Sequence, residues 1–243
     1  PISNGYYIQE TQAPYAYIRN SKDVYSFNFN VLPETQAKAS FSHTFVNDRT
    51  TAKIHIYKVD KESGKAVAQG DASLKGAVYG LYARNDIVHP DGATGVVFKA
   101  GDLVATLTTD KNVEAEVNNL YLGNYYVKEI TPSEGYLLDE EEHDVVCDYE
   151  GELVAEVSRS TTSAEQVIKQ PFQLIKVSDN GDDTEAVLLA GAEFTAYLKS
   201  SLSVKADGSY DFDKATPVVI GENGATIITS DDKGHAVSIA IPY

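Results

Sequence analysis

The sequence has no methionine, no tryptophan and a single cysteine, Cys147. One cysteine makes no intrachain disulfide, so a disulfide scaffold is excluded. Its place in the strand-like run Asp144 to Tyr149 reads as a buried, inert thiol. Basic residues are scarce: 20 Lys and Arg stand against 36 Asp and Glu, a net charge of −16. Nucleic-acid binding needs clustered cations, and an anionic membrane surface attracts them, so the charge argues against both partners. No apolar run approaches the ~18 residues of a membrane-spanning helix, and no signal peptide or lipidation motif occurs. Without methionine, the chain reads as a piece cut from a longer protein. There is no nucleophile elbow, phosphate loop or dinucleotide fingerprint. The five histidines lack ligand spacing, and the acidic run Asp139 to Glu142 lacks the geometry of a calcium loop. Neither a cofactor, a metal site nor an enzyme acting on an external substrate is expected.

What is present favours strands. Hydrophobic residues make up 42% of the chain, and sixteen tyrosines join many Val, Ile and Thr. Alternating or β-rich runs occur at Lys53 to Val59, Ala77 to Ala83, Leu103 to Thr108, Val113 to Val117, Gly123 to Ile130 and His143 to Tyr149. Turn signals at Ser63-Gly64, Asp91-Gly92, Ala100-Gly101, Asp110 to Asn112 and Glu150-Gly151 separate them. This spacing predicts an all-β sandwich or barrel, with at most single helical turns at Glu140 to His143 or Asp211 to Ala215.

The chain also repeats itself. Tyr6-Tyr7-Ile8-Gln9-Glu10 matches Tyr125-Tyr126-Val127-Lys128-Glu129, and Tyr17 matches Tyr136 at the same spacing. Ile56-Tyr57-Lys58-Val59-Asp60 matches Leu174-Ile175-Lys176-Val177-Ser178. Leu74-x-Gly76-Ala77-x-Tyr79-x-x-Tyr82 matches Leu189-x-Gly191-Ala192-x-Phe194-x-x-Tyr197, and Thr108-Thr109-Asp110 matches Thr229-Ser230-Asp231. The phase of these matches divides the chain into three parts. Residues 1–50 read as the C-terminal half of one domain, 51–170 as a complete domain, and 171–243 as the N-terminal half of a third.

The segment Tyr6-x-Ile8-x-Glu10-x-x-Ala13-Pro14-x-Ala16-Tyr17 resembles the E-box of Gram-positive pilins and adhesins, with a second copy at Tyr125-x-Val127-x-Glu129 through Gly135-Tyr136. Two boxes in register with two opening motifs resemble tandem Cna-B type domains, also called SpaA-like or prealbumin-like. The resemblance implies Ig-like β-sandwiches, many of which carry an internal isopeptide bond. In that bond a first-strand Lys attacks a last-strand Asn, and the E-box Glu assists.

Such a bond makes chemical demands. An ammonium is not a nucleophile, so the Lys must be buried until its neutral form is accessible. The same burial keeps a carboxyl protonated and able to shuttle the proton. The resemblance makes Lys58 and Lys176 the candidate nucleophiles, Glu10 and Glu129 the assisting acids, and Asn47 an acceptor. Each also has a plainer reading: a solvated strand lysine, an exposed strand carboxylate, a turn asparagine. No part holds a full set. Residues 1–50 have Glu10 and Asn47, but the first-strand Lys of that domain would lie upstream of Pro1; residues 171–243 have Lys176 but lack the box Glu and the last-strand Asn. The middle part has Lys58 and Glu129, but its acceptor position is expected near Gln166, and Ala155 to Lys169 contains neither Asn nor Asp. An intact mass without any deficit is therefore expected.

The resemblance implies a stalk or shaft segment of an extracellular, cell-wall-associated protein of a Gram-positive bacterium. Its partners would be the neighbouring domains of its parent chain. The rival is an adhesin module that binds a host protein or glycan through the loops Asn85 to Ala100 and Ser200 to Thr216. The two half-domains also suggest complementation between molecules.

Overall fold

The structure, a computed structural model, describes residues 5–28, 40–179 and 186–243. It is nearly all-β. No helix among the described residues is long and apolar enough to cross a membrane.

The middle of the chain forms two facing sheets. Strands β1 (Gly5–Gln9) and β2 (Val24–Asn28) precede them as an antiparallel pair. The middle unit then runs β3 (Thr51–Asp60), β4 (Val78–Ala83), β5 (Ile87–Val88), β6 (Val96–Phe98), β7 (Leu103–Thr108), β8 (Glu114–Leu120), β9 (Gly123–Thr131), β10 (Glu142–Cys147) and β11 (Glu156–Glu165). One sheet has the order β10-β9-β4-β7, the other β11-β3-β8. Between them lie Ile54, Ile56, Tyr79, Leu81, Tyr125, Val127, Val145 and Cys147, all buried. β3 shows how the sequence does this: Ala52, Ile54, Ile56, Lys58 and Asp60 point inward, every second residue of the strand. β3 pairs antiparallel with β8 and parallel with β11. The first and last strands of the unit therefore lie side by side.

Beyond it come β12 (Lys169–Gln170), β13 (Gln173–Ile175), β14 (Glu193–Tyr197), β15 (Ser203–Val204), β16 (Tyr210–Asp211), β17 (Pro217–Val218), β18 (Ile227–Thr229), β19 (His235–Val237) and β20 (Ile241–Pro242). Their small core is Ile220, Ile228 and Ala236, with Phe172, Leu174 and Phe194 half-buried around it.

Three expectations need correction. β11 was not foreseen as a strand. The insertion from Asn85 to Ala100 contains a short hairpin, β5–β6, whose Ile87 is buried in the core. Single helical turns form at Lys199–Ser201 and Glu222–Gly224, whereas β10 starts at Glu142 and Tyr210–Asp211 is a strand.

Both flanking regions dock on the middle unit, at opposite ends of β3. Near its start, the Arg49 guanidinium lies 4.1 Å over the Tyr121 ring and donates to the Leu120 carbonyl at 2.8 Å. Arg19 pairs with Glu152 at 3.1 Å. Near its far end, the Tyr243 carbonyl accepts from the Asp71 amide at 2.8 Å, and the Tyr243 amide donates to Ile168. Gly70 and Gly135 have positive φ beside Tyr243, and a Cβ on either would collide with that residue.

Candidate functional site: a buried lysine between two carboxylates

Lys58 is wholly buried. The alternation of β3 forces this, because Lys58 shares the inward face with Ile54 and Ile56. Its Nζ donates to Glu129 Oε1 at 3.0 Å and lies against Glu165 Oε2. The two carboxylates come from different sheets. Glu129 follows Tyr125 and Val127 along the inward face of β9. Glu165 ends β11, opposite Asp60 in the parallel ladder. Both are almost completely buried.

Every remaining oxygen is met. Glu165 Oε1 accepts from Tyr79 Oη at 2.7 Å and from Ser163 Oγ at 3.2 Å. Glu129 Oε2 accepts the Asp139 amide at 2.8 Å. The rings of Tyr136 and Tyr79 lie 5.6 and 6.0 Å from Lys58 Nζ, at the limit of cation–π attraction. Asp60 sits just beyond. Burial opposes its ionisation, but bonds from the Ser63 amide, Gln69 and Tyr136 hold its pKa below the usual carboxylate range.

Charge balance decides the protonation. One cation in a dry core balances one carboxylate, and a second bare carboxylate would be costly. Burial pushes Glu129 up to about 7, with the neighbouring Glu165 adding to the rise. Burial and Glu165 likewise push the Tyr79 hydroxyl well above its ordinary value, so it stays a donor. A proton on Glu129 would leave one ammonium against one carboxylate, a neutral buried cluster. Moving one further proton from ammonium to carboxylate gives a neutral amine facing two carboxylic acids, with no net charge moved into water.

Matching backbone bonds locate the counterparts in the flanking regions. The Ile18 amide donates to the Asp48 carbonyl, and the Leu137 amide to that of Gln166. Tyr17 bridges Arg49, and Tyr136 bridges Val167. Thr50 donates to Ala16, and Ile168 to Gly135. Each of these matches sets residue 48, 49 or 50 against 166, 167 or 168, so Asn47 corresponds to Glu165. The acceptor position expected near Gln166 is one residue earlier. Gln166 itself points outward, donating to Glu62 at 2.6 Å. One residue fewer separates the box from the last strand in the middle copy, and a one-residue slip exchanges the two faces of a strand.

Glu10 and Asn47 are brought together: Asn47 Nδ2 donates to Glu10 Oε2 at 2.7 Å. The same Oε2 accepts the Asn20 amide at 2.9 Å, the role Glu129 plays for Asp139. Lys176 stands apart and exposed. Its amide nevertheless donates to Gly234 as that of Lys58 donates to Val113. Thr109 Oγ1 and Ser230 Oγ also match: each accepts the amide of Ala77 or Ala192 and donates to the carbonyl of Leu74 or Leu189.

Sequence reasoning missed Glu165, Tyr79 and Ser163. The signal for Glu165 was its parity with Val157 on β11, visible only once the register is right. Two smaller points concern side chains outside the cluster. Burial pushes the Cys147 thiol up to about 11. Asp139, Glu141 and His143 bring three donor atoms within 4.8 Å of one another, although Asp139 is already engaged by His143 and Ser163.

Residues 52–161 match the family model of the SpaA prealbumin-like fold domain. Lys58 and Glu129 lie within the matched span, and Glu165 lies four residues past it. Among solved structures, the chain is similar to the Bacillus anthracis TIE protein, at 20% identity and a TM-score of 0.55. That likeness covers 99% of this chain and 34% of the other, so the chain spans about a third of that protein's length. Two looser likenesses are the group B streptococcus pilus 2b backbone protein and a streptococcal ancillary pilin. The first has 18% identity, a TM-score of 0.37, and covers 59% of this chain and 48% of that one. The second has 24% identity, a TM-score of 0.34, and covers 98% and 63%. No curated protein matches the chain in sequence.

Proposed function

We propose that the chain is a stalk segment of a cell-wall-associated surface protein of a Gram-positive bacterium. It comprises one whole domain, 51–170, and two half-domains, 1–50 and 171–243, whose natural partners are neighbouring domains of the parent chain. It acts on no external substrate. The observation that carries this reading is the Lys58–Glu129–Glu165 cluster, which ties the first strand of the middle domain to its last.

The cluster's own chemistry is condensation. Neutral Lys58 Nζ attacks Cδ of protonated Glu165, and the N–C bond forms as the C–OH bond breaks. Glu129 takes a proton from nitrogen and returns one to the leaving hydroxyl, so water departs and Glu129 ends as it began. The product is an amide joining β3 to β11. It differs from the Lys–Asn bond implied by the family resemblance in its acceptor and in releasing water instead of ammonia.

A stalk needs such a bond because tension on the chain ends would otherwise peel its outer strands apart. The test is to pull the chain by its ends in an optical trap. The segment from Lys58 to Glu165, a sequence separation of 107, should stay locked. Unfolding should then lack on the order of 370 Å of extension, at about 3.5 Å per residue. Lys58→Ala should restore that extension, and wild-type protein releasing it would contradict the proposal.

A further inference from the structure

We propose that Tyr79, with Ser163 beside it, forms an oxyanion hole that catalyses closure of the Lys58–Glu165 bond. The inference rests on that bond as proposed above. Lys58 and Glu165 sit on neighbouring strands of one sheet, β3 and β11, and Ser163 stands directly opposite Lys58 in their parallel ladder. The facing sheet presents Tyr79 and Glu129, which are cross-strand partners on β4 and β9. Both are buried, so one sheet holds the reacting groups and the other sets an acid–base group and a hydroxyl against them. The two oxygens of Glu165 are divided in the same way. Lys58 Nζ lies against Oε2, whereas Oε1 accepts from the Tyr79 hydroxyl at 2.7 Å and from the Ser163 hydroxyl at 3.2 Å. Two donors on Oε1 mark it as the carbonyl oxygen and leave the acid proton to Oε2, the leaving oxygen.

As neutral Nζ adds to Cδ, the electron pair of the carbonyl moves onto Oε1, where two hydroxyls already point. The pair returns as the Cδ–Oε2 bond breaks. Oε2 departs as water, carrying its own proton and the one that Glu129 passes from nitrogen. Oε1 becomes the amide oxygen and keeps its donors. These donors are in place before the reaction. Tyr79 is fully buried, and burial beside Glu165 keeps its hydroxyl protonated. A donor fixed in a water-free site stabilises developing charge more than the same group does in water. Packing alone does not call for it, since a phenylalanine would fill the space without carrying a polar group into the core. Ser163 has one proton and two acceptors, Oε1 and Asp139 Oδ2 at 3.1 Å. Asp139 keeps its bonds to His143 and the Glu141 amide when that proton turns to Oε1.

The test follows bond closure with time. The full chain is synthesised in a short cell-free pulse, and intact-mass spectrometry tracks the fraction about 18 Da below the sequence mass, the loss of one water. Each rate is taken per folded molecule, from the protease-resistant fraction at the same times. Tyr79→Phe keeps the ring and removes the donor, and should slow closure about 100-fold, as loss of one oxyanion donor does. Ser163→Ala should slow it about tenfold, less because its proton is shared with Asp139. It carries the test if Tyr79→Phe does not fold. A hydrogen bond that only steadied the fold would change the folded fraction and leave the rate per folded molecule alone. Closure at the wild-type rate in either variant overturns the inference and leaves the crosslink standing. A wild-type chain that never develops the deficit overturns the crosslink, and the oxyanion hole with it.

Discussion

Tyr6-x-Ile8-x-Glu10 and Tyr125-x-Val127-x-Glu129 are nearly one motif in two settings. In the middle domain the motif is core: the tyrosine and valine are buried and the glutamate meets Lys58. In residues 1–50 the same alternation faces outward, and the glutamate meets Asn47 instead. The local backbone is the same in both. Each glutamate accepts the amide ten residues on, and each tyrosine that closes the box bridges the stretch after it. Local structure follows the local sequence, whereas burial follows the facing sheet, which among the described residues covers the motif in the middle copy.

The largest effect that can break this comparison concerns the crosslink. Lys58→Met should lower the unfolding free energy of the middle domain by about 4–5 kcal/mol, the chain entropy released when a loop of this length is no longer closed. Urea unfolding compared with wild type measures it, and a loss under ~1 kcal/mol would mean no loop was closed. Next comes the tyrosine pair. Tyr125→Ala should cost about 3–5 kcal/mol, because it empties a core site, whereas Tyr6→Ala should cost well under half of that. Equal costs would show that the two copies are buried alike.

The smallest effect is a pH dependence in the uncrosslinked Lys58→Met chain. With Lys58 present the Glu129 pKa is raised from 4.5 to about 7. Removing that cation takes away a lowering influence, so folded Glu129 binds its proton at least as tightly in the variant. The stability it contributes is therefore complete below about pH 4.5 and lost as pH rises through about 7. Asp60, Glu62 and Asp139 are shifted down and act below that window. Urea midpoints should fall between about pH 4.5 and pH 8, and Glu129→Gln in the same background should flatten the slope. A slope unchanged by Glu129→Gln would assign it to another group.

Much of this was legible in the sequence. The strands from Lys53, Ala77, Leu103, Val113, Gly123 and His143 were readable because each puts apolar residues on one face. β11 was not, since its inward residues include Ser163 and Glu165 and give no apolar alternation. The site was half legible. Lys58 and Glu129 were named from the family resemblance, as were Glu10 and Asn47, whose contact only the structure shows. Glu165 was hidden by a one-residue difference in loop length, which moved the expected acceptor to Gln166 on the opposite face. Counting residues cannot detect such a slip, whereas the ladder register can.

The proposed bond joins Lys58 to Glu165, the residue in the acceptor position. Intact-mass spectrometry of the full chain tests it most directly. The expected mass lies about 18 Da below the sequence value, one water per amide formed, together with a branched peptide linking Lys58 to Glu165 that disappears in Lys58→Ala. A mass equal to that of the sequence would contradict it.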